Sequence, residues 1–122
     1  MEMTYWGKHL IANVKACDIK KAKDPNHIRE FTKELVREID MKPWGEPKVI
    51  HFGEGELGGW TVSQLIETSN IMGHFIDSNG DLYLDVFSCK DFNEDIVVEM
   101  LKTWFNPEDI NTIVLMRDAR KA

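Results

Sequence analysis

The sequence predicts an α/β fold of the α+β kind, a two-layer sandwich whose mainly antiparallel sheet is covered on one face by two helices. Three observations carry this. Strand-like and helical runs follow in the order strand, helix, three or four strands, helix, strand. The middle connections are of hairpin length, which implies antiparallel pairing because a parallel crossover needs a much longer link. Two segments carry apolar residues at helical spacing, enough to cover one face of one sheet. The chain has 122 residues and no linker, low-complexity tract or repeat, so residues 1–122 read as a single domain.

GKHLIANVKAC, residues 7–17, reads as the first strand, and CDIKKAKDP leads out of it. Residues 24–41 form the first helix. Ile28, Phe31, Leu35 and Ile39 recur at helical spacing. Asp24 is placed to cap the helix, and Pro25 fits its first position, where no backbone N–H is required. PKVIHF (47–52) is a short strand and GEGELGG (53–59) a mobile acidic loop. WTVSQLIET (60–68) and NIMGHFI (70–76) are strands that meet near Ser69. DSNGD is a turn, rich in residues that bond their own backbone or accept positive φ, and the strand LYLDVFSC follows. The second helix covers residues 93–105, with Ile96, Val97, Met100, Leu101, Trp104 and Phe105 on one broad face. NPED ends it, and INTIVLM supplies the last strand.

Composition removes several classes of function. Acidic and basic residues are interspersed around a net charge of −6, with no basic block to follow a phosphate backbone, so nucleic acid is not an expected partner. No apolar run approaches the roughly 20 residues that span a bilayer, and the N-terminus lacks a basic-then-apolar leader. The expected setting is a reducing cytoplasm, away from membranes. Cys17 and Cys89 make neither a disulfide framework nor a ligand cluster, and the four histidines show no paired spacing, so no metal is expected.

Most single motifs have plain readings. Gly53, Gly55 and Gly58 satisfy a dinucleotide-type glycine pattern, but a strand-like run follows where a helix N-terminus must hold the phosphates. Ser69 lacks the glycine elbow of a serine hydrolase. Cys17 reads as a packing residue at a strand end, His9 and His51 as hydrogen-bonded strand residues, and His27 as a solvated first-turn residue. RDARKA reads as a frayed basic tail.

Taken together, Ser69, His74 five positions on, and Cys89 at the end of a DVFSC strand are more specific. With GKHLIAN near the start, the stretch SNIMGHFIDSNGDLYLDVFSC resembles the short, prokaryotic-type S-adenosylmethionine decarboxylase proenzymes over most of the chain. The resemblance implies a homodimer and a covalent pyruvoyl group made from Ser69 by self-cleavage into chains 1–68 and 69–122. It implies that Ser69 attacks the Thr68 carbonyl. His74 assists processing; an ordinary histidine pKa of about 6.5 suits proton removal near neutrality. Cys89 acts as general acid; a thiol pKa of about 8.5 keeps its proton available at pH 7. Thr61 falls where the family usually has a serine that helps processing. The pyruvoyl ketone forms a Schiff base with the substrate amine and acts as electron sink, so no free cofactor is needed. The product is the aminopropyl donor for spermidine.

The sequence departs from the family pattern at the edges of this site. Thr68 stands directly before the serine, with glutamate one position earlier, at Glu67. HFIDS stands where HTWPE is usual, replacing the tryptophan that stacks on adenine by Ile76 and the ribose-binding carboxylate by Ser78. Asp77 is placed to supply the carboxylate and Phe52 or Trp60 the ring. Ornithine or arginine remains an alternative substrate, and an unprocessed, non-catalytic binding protein a second alternative.

Overall fold

The computed structural model describes residues 4–122. It contains β1 (Gly7–Lys15), α1 (Ile19–Ala22), α2 (Pro25–Glu38), β2 (Pro43–Phe52), β3 (Gly59–Ile66), β4 (Ser69–Phe75), β5 (Leu82–Ser88), α3 (Glu94–Phe105) and β6 (Asp109–Arg117). The six strands form one sheet in the order β2-β3-β4-β5-β1-β6, every neighbouring pair antiparallel. This is the expected α+β architecture. One short helix, α1, lies where the sequence reading has only a lead-out.

Alternation sorts the side chains. Leu10, Ala12 and Val14 of β1, Ile71 and Phe75 of β4, and Leu82, Leu84 and Val86 of β5 all point under the helices and are buried. Helix α2 meets them with Ile28, Phe31 and Leu35, and α3 with Val97, Leu101 and Phe105. Burying one such Phe or Leu stabilises the fold by about 1.5–3 kcal/mol. Both helices start on side-chain caps: Asp24 accepts from the Asn26 and His27 N–H groups, and Asn93 from that of Asp95. Asn106, at φ 44°, closes α3 in the left-handed conformation.

Among the described residues, no helix covers the other sheet face. Ile50, Phe52, Leu65, Met72, Tyr83 and Leu115 stand there at 40% exposure or more. Gly59 permits the tight passage of β3 beside the end of β4, since a Cβ there would lie 1.6 Å from the Phe75 carbonyl oxygen.

Several local readings need correction. Strand β2 begins at Pro43, not Pro47: Pro43 opens it in register with Ile66, and a bulge between Trp44 and Lys48 takes in Pro47, both of which an edge strand tolerates. His27 is half-buried, its Nε2 2.7 Å from the Trp104 carbonyl oxygen and its ring against Trp104 and Phe105. The C-terminal basic stretch is not frayed: a short 3-10 turn at Ala119–Lys121 is capped by Asp118. The Arg120 guanidinium beside Asp118 holds that carboxyl down at about 2. Trp6 and Trp44 are exposed, and Trp60 is half-buried against the core. Among the described residues, no helix is long and apolar enough to cross a membrane.

Candidate active site

The singled-out residues fall into two groups at opposite ends of the sheet. The first surrounds the β3–β4 turn. Ser69 opens β4, half-exposed, in register with Ile66 on one side and Ser88 on the other. Both partners are buried on the helix-covered face, so the pleat assigns Ser69 to that face too. Its Oγ receives a long hydrogen bond, 3.3 Å, from the Asn70 amide.

Thr68 is anchored on both of its oxygens. Its hydroxyl lies 2.7 Å from Ser88 Oγ and 3.4 Å from the Met41 sulfur. Its carbonyl oxygen accepts the Cys89 N–H at 3.0 Å. Ser88, fully buried, also accepts the Lys90 N–H at 2.9 Å. Cys89 is a half-exposed free thiol just past the end of β5. Glu67 is exposed at the turn, its N–H on the Lys42 carbonyl oxygen at 2.9 Å and its carboxylate 3.5 Å from Lys42 Nζ. Attack on the Thr68 carbonyl carbon would place negative charge on an oxygen already facing an N–H donor.

The second group lies at the other end. Thr61 and His74 are cross-strand partners on the uncovered face, and Thr61 Oγ1 sits 2.6 Å from His74 Nδ1. That bond engages Nδ1 and fixes the orientation of the ring. The Phe52 ring stacks beside His74 at a centroid distance of 5.9 Å. Trp60 is on the opposite face, edge-on to His51 at 5.0 Å, and His51 Nε2 lies 2.6 Å from Asp77 Oδ2. Asp77 Oδ1 is buried with no hydrogen-bond partner among the described residues.

The structure therefore brings Thr68, Ser69 and Cys89 together, and separately Phe52, Thr61 and His74. It does not bring His74 to Ser69 within one chain. Five residues along a strand span about 16 Å, and an odd offset puts the two side chains on opposite faces. Sequence reasoning missed Ser88, Met41 and Lys8. The first and last had a signal: both are polar residues at inward-facing positions of otherwise apolar alternating strands. Met41 had none, because it reaches Thr68 only through the fold.

A six-stranded antiparallel sheet backed by helices on one side is also the architecture of a solved decarboxylase. The crystal structure of the adenosylmethionine decarboxylase from Aquifex aeolicus VF5 matches with a TM-score of 0.81 and 23% identity, over 95% of this chain and 93% of that one. No curated protein matches at the level of sequence. The family model for S-adenosylmethionine decarboxylase matches residues 8–118. The chain belongs to the S-adenosylmethionine decarboxylase family, whose members are pyruvoyl-dependent carboxy-lyases.

Proposed function

We propose that this chain decarboxylates S-adenosylmethionine after cleaving itself between Thr68 and Ser69, and that its product is the aminopropyl donor of spermidine synthesis. The observation that carries the reading is the 3.0 Å hydrogen bond from the Cys89 N–H to the Thr68 carbonyl oxygen, in a chain of this family. Ser69 Oγ adds to the Thr68 carbonyl carbon, and the amide becomes an ester as the Ser69 nitrogen leaves. Removal of the Ser69 α-proton breaks the Cβ–O bond and frees residues 1–68 with a Thr68 carboxylate. The dehydroalanine at residue 69 takes up one water and loses one ammonia, leaving a pyruvoyl cap on 69–122.

The residues at the turn fit such a group. Ser69 is half-exposed at a strand end, and the neighbouring amide belongs to a thiol-bearing residue that is itself half-exposed. The group supplies an electron sink for the carbanion left when CO2 departs. Cys89 is the residue we assign to return a proton to the substrate carbon. For the substrate's nucleoside we assign Asp77 to the ribose hydroxyls and either Phe52 or Trp60, which lie on opposite sheet faces, to the adenine ring.

His74, assigned to the α-proton, lies too far from its own Ser69, and a homodimer resolves this. The uncovered face exposes Phe52, Leu65, Met72, Tyr83 and Leu115, and large apolar side chains gathered on one exposed face mark a surface for association. Two such faces joined about a two-fold axis make one isologous contact. With strands running oppositely across it, the Thr61–His74 end of one protomer lies over the Thr68–Ser69 end of its partner; because the Ser69 side chain turns to the helix-covered face, the base approaches the Ser69 α-carbon from the face opposite its hydroxyl. Chains 1–68 and 69–122 then remain paired through β3 and β4 after the cut.

The test of substrate offers the cleaved protein carboxyl-labelled S-adenosylmethionine, ornithine and arginine separately. Release of label from S-adenosylmethionine is expected. Release from ornithine or arginine alone would overturn that choice, and an uncut, inactive chain would support a non-catalytic binding role instead.

A further inference from the structure

Lys8 is 5% exposed on the helix-covered face of β1, in register with Ser88, which is in turn in register with Ser69. Its Nζ donates to the Phe92 carbonyl oxygen at 2.5 Å and to Glu94 Oε2 at 2.6 Å, and lies 3.1 Å from Asp91 Oδ1. It also sits 4.7 Å from the centre of the Phe92 ring. Every one of these partners belongs to the segment that leaves Cys89 and enters α3.

Ordinary stability does not account for a lysine here. Burial disfavours its charge. The start of α3 carries the positive end of the helix dipole, which also disfavours a cation. An apolar side chain would fill the space at no such cost. What the lysine provides is three fixed bonds on one short segment. Burial would discharge it, but hydrogen bonds and charge from Glu94 and Asp91 outweigh burial and hold its pKa above the ordinary value. The cation is therefore permanent at working pH.

We infer that Lys8 is a positioning residue for self-cleavage: it clamps the segment from Cys89 to Glu94, which keeps the Cys89 amide on the Thr68 carbonyl oxygen. The inference rests on the self-cleavage reading above. Lys8 touches neither reacting residue and acts only through the backbone of the 89–94 segment. Lys8→Met leaves Asp91 and Glu94 with solvent to rehydrate them, since their side chains are 60% and 42% exposed. The variant should therefore fold.

The experiment has two arms. In the first, cleavage half-times of the wild type, Lys8→Met and Lys8→Arg are followed by electrophoresis alongside melting temperature. Lys8→Met should cleave at least tenfold more slowly with melting nearly unchanged, and Lys8→Arg should recover most of the rate. In the second, hydrogen exchange is measured in uncut Ser69→Ala protein with and without Lys8→Met. The Cys89 amide should exchange at least tenfold faster in the double variant, while the β1 and β4 amides stay protected. Wild-type rate in a folded Lys8→Met, or unchanged Cys89 exchange, would overturn the inference alone. A wild-type chain that never cleaves would overturn the self-cleavage reading and this inference with it. If Lys8→Met does not fold, Glu94→Gln replaces it: slower cleavage is expected, and an unchanged rate is contrary.

Discussion

At the Ser69 end of the sheet a backbone hydrogen bond and a buried serine hydroxyl hold the Thr68 peptide, whereas at the His74 end the groups that meet are side chains on an uncovered face. The Thr68 carbonyl is held by an amide, and the Thr68 hydroxyl by a fully buried serine. Such an end is set once the chain folds, because main-chain partners cannot rotate away. Thr61, His74 and Phe52 instead form a short chain of side-chain contacts, with Phe52 54% exposed. The difference teaches that one protomer completes only half of the proposed chemistry. The stiff end carries the bond proposed to break, and the open end carries the histidine proposed as its base.

The largest effect that separates the two ends comes from His74→Ala. Loss of a positioned general base should slow cleavage on the order of 100- to 10,000-fold. Co-expression with Ser69→Ala sharpens the comparison. If His74 acts across the dimer, the His74→Ala chain retains Ser69 and meets an intact His74 of the partner subunit. That chain should then be cut in the mixed dimer, and its remaining uncut would show that the two ends work within one chain.

Gly59→Ala comes next. A Cβ 1.6 Å from the Phe75 carbonyl oxygen must displace the backbone where β3 and β4 meet near His74. Overpacking of this kind costs about 3 kcal/mol, read as a lowered denaturant midpoint. A midpoint equal to wild type would contradict the close approach. Thr61→Val is milder: it removes one hydrogen bond to His74 and should slow cleavage about tenfold, with Thr61→Ser near wild type. Equal rates in all three proteins would detach Thr61 from the reaction. Smallest is the effect at Cys17. Burial pushes its thiol up to about 12, so it stays protonated in the folded protein at pH 8. Iodoacetamide at that pH should mark Cys89 and leave Cys17 unmodified, as read by peptide mass.

Much of this was legible in the chain. The helix faces, the alternation of Leu82, Leu84 and Val86, and the hairpin-length links dictate the sheet and its covered side. The start of β2 was not, because two prolines disguise an edge strand whose bulge forms only against β3. The Ser69–His74–Cys89 trio was legible as spacing. Its division between two ends was also latent there, since an offset of five in a strand reverses the face. Which aromatic stands beside His74 needed the register: Phe52 and Trp60 both lie on strands at that end of the sheet, yet fall on opposite faces. Met41 reaches the Thr68 region only through long-range packing, for which a single sequence carries no periodic mark, whereas Lys8 was marked as a polar residue at an inward-facing strand position.

The central claim is that the bond between Thr68 and Ser69 is the one this fold is built to break, and intact mass of the purified protein tests it most directly. The wild type should give two chains, 1–68 and 69–122, the second lighter by one ammonia than a chain beginning with free serine. Ser69→Ala should give a single chain of 14.1 kDa. An uncut wild type, a cut at another bond, or a cut that persists in Ser69→Ala would contradict it.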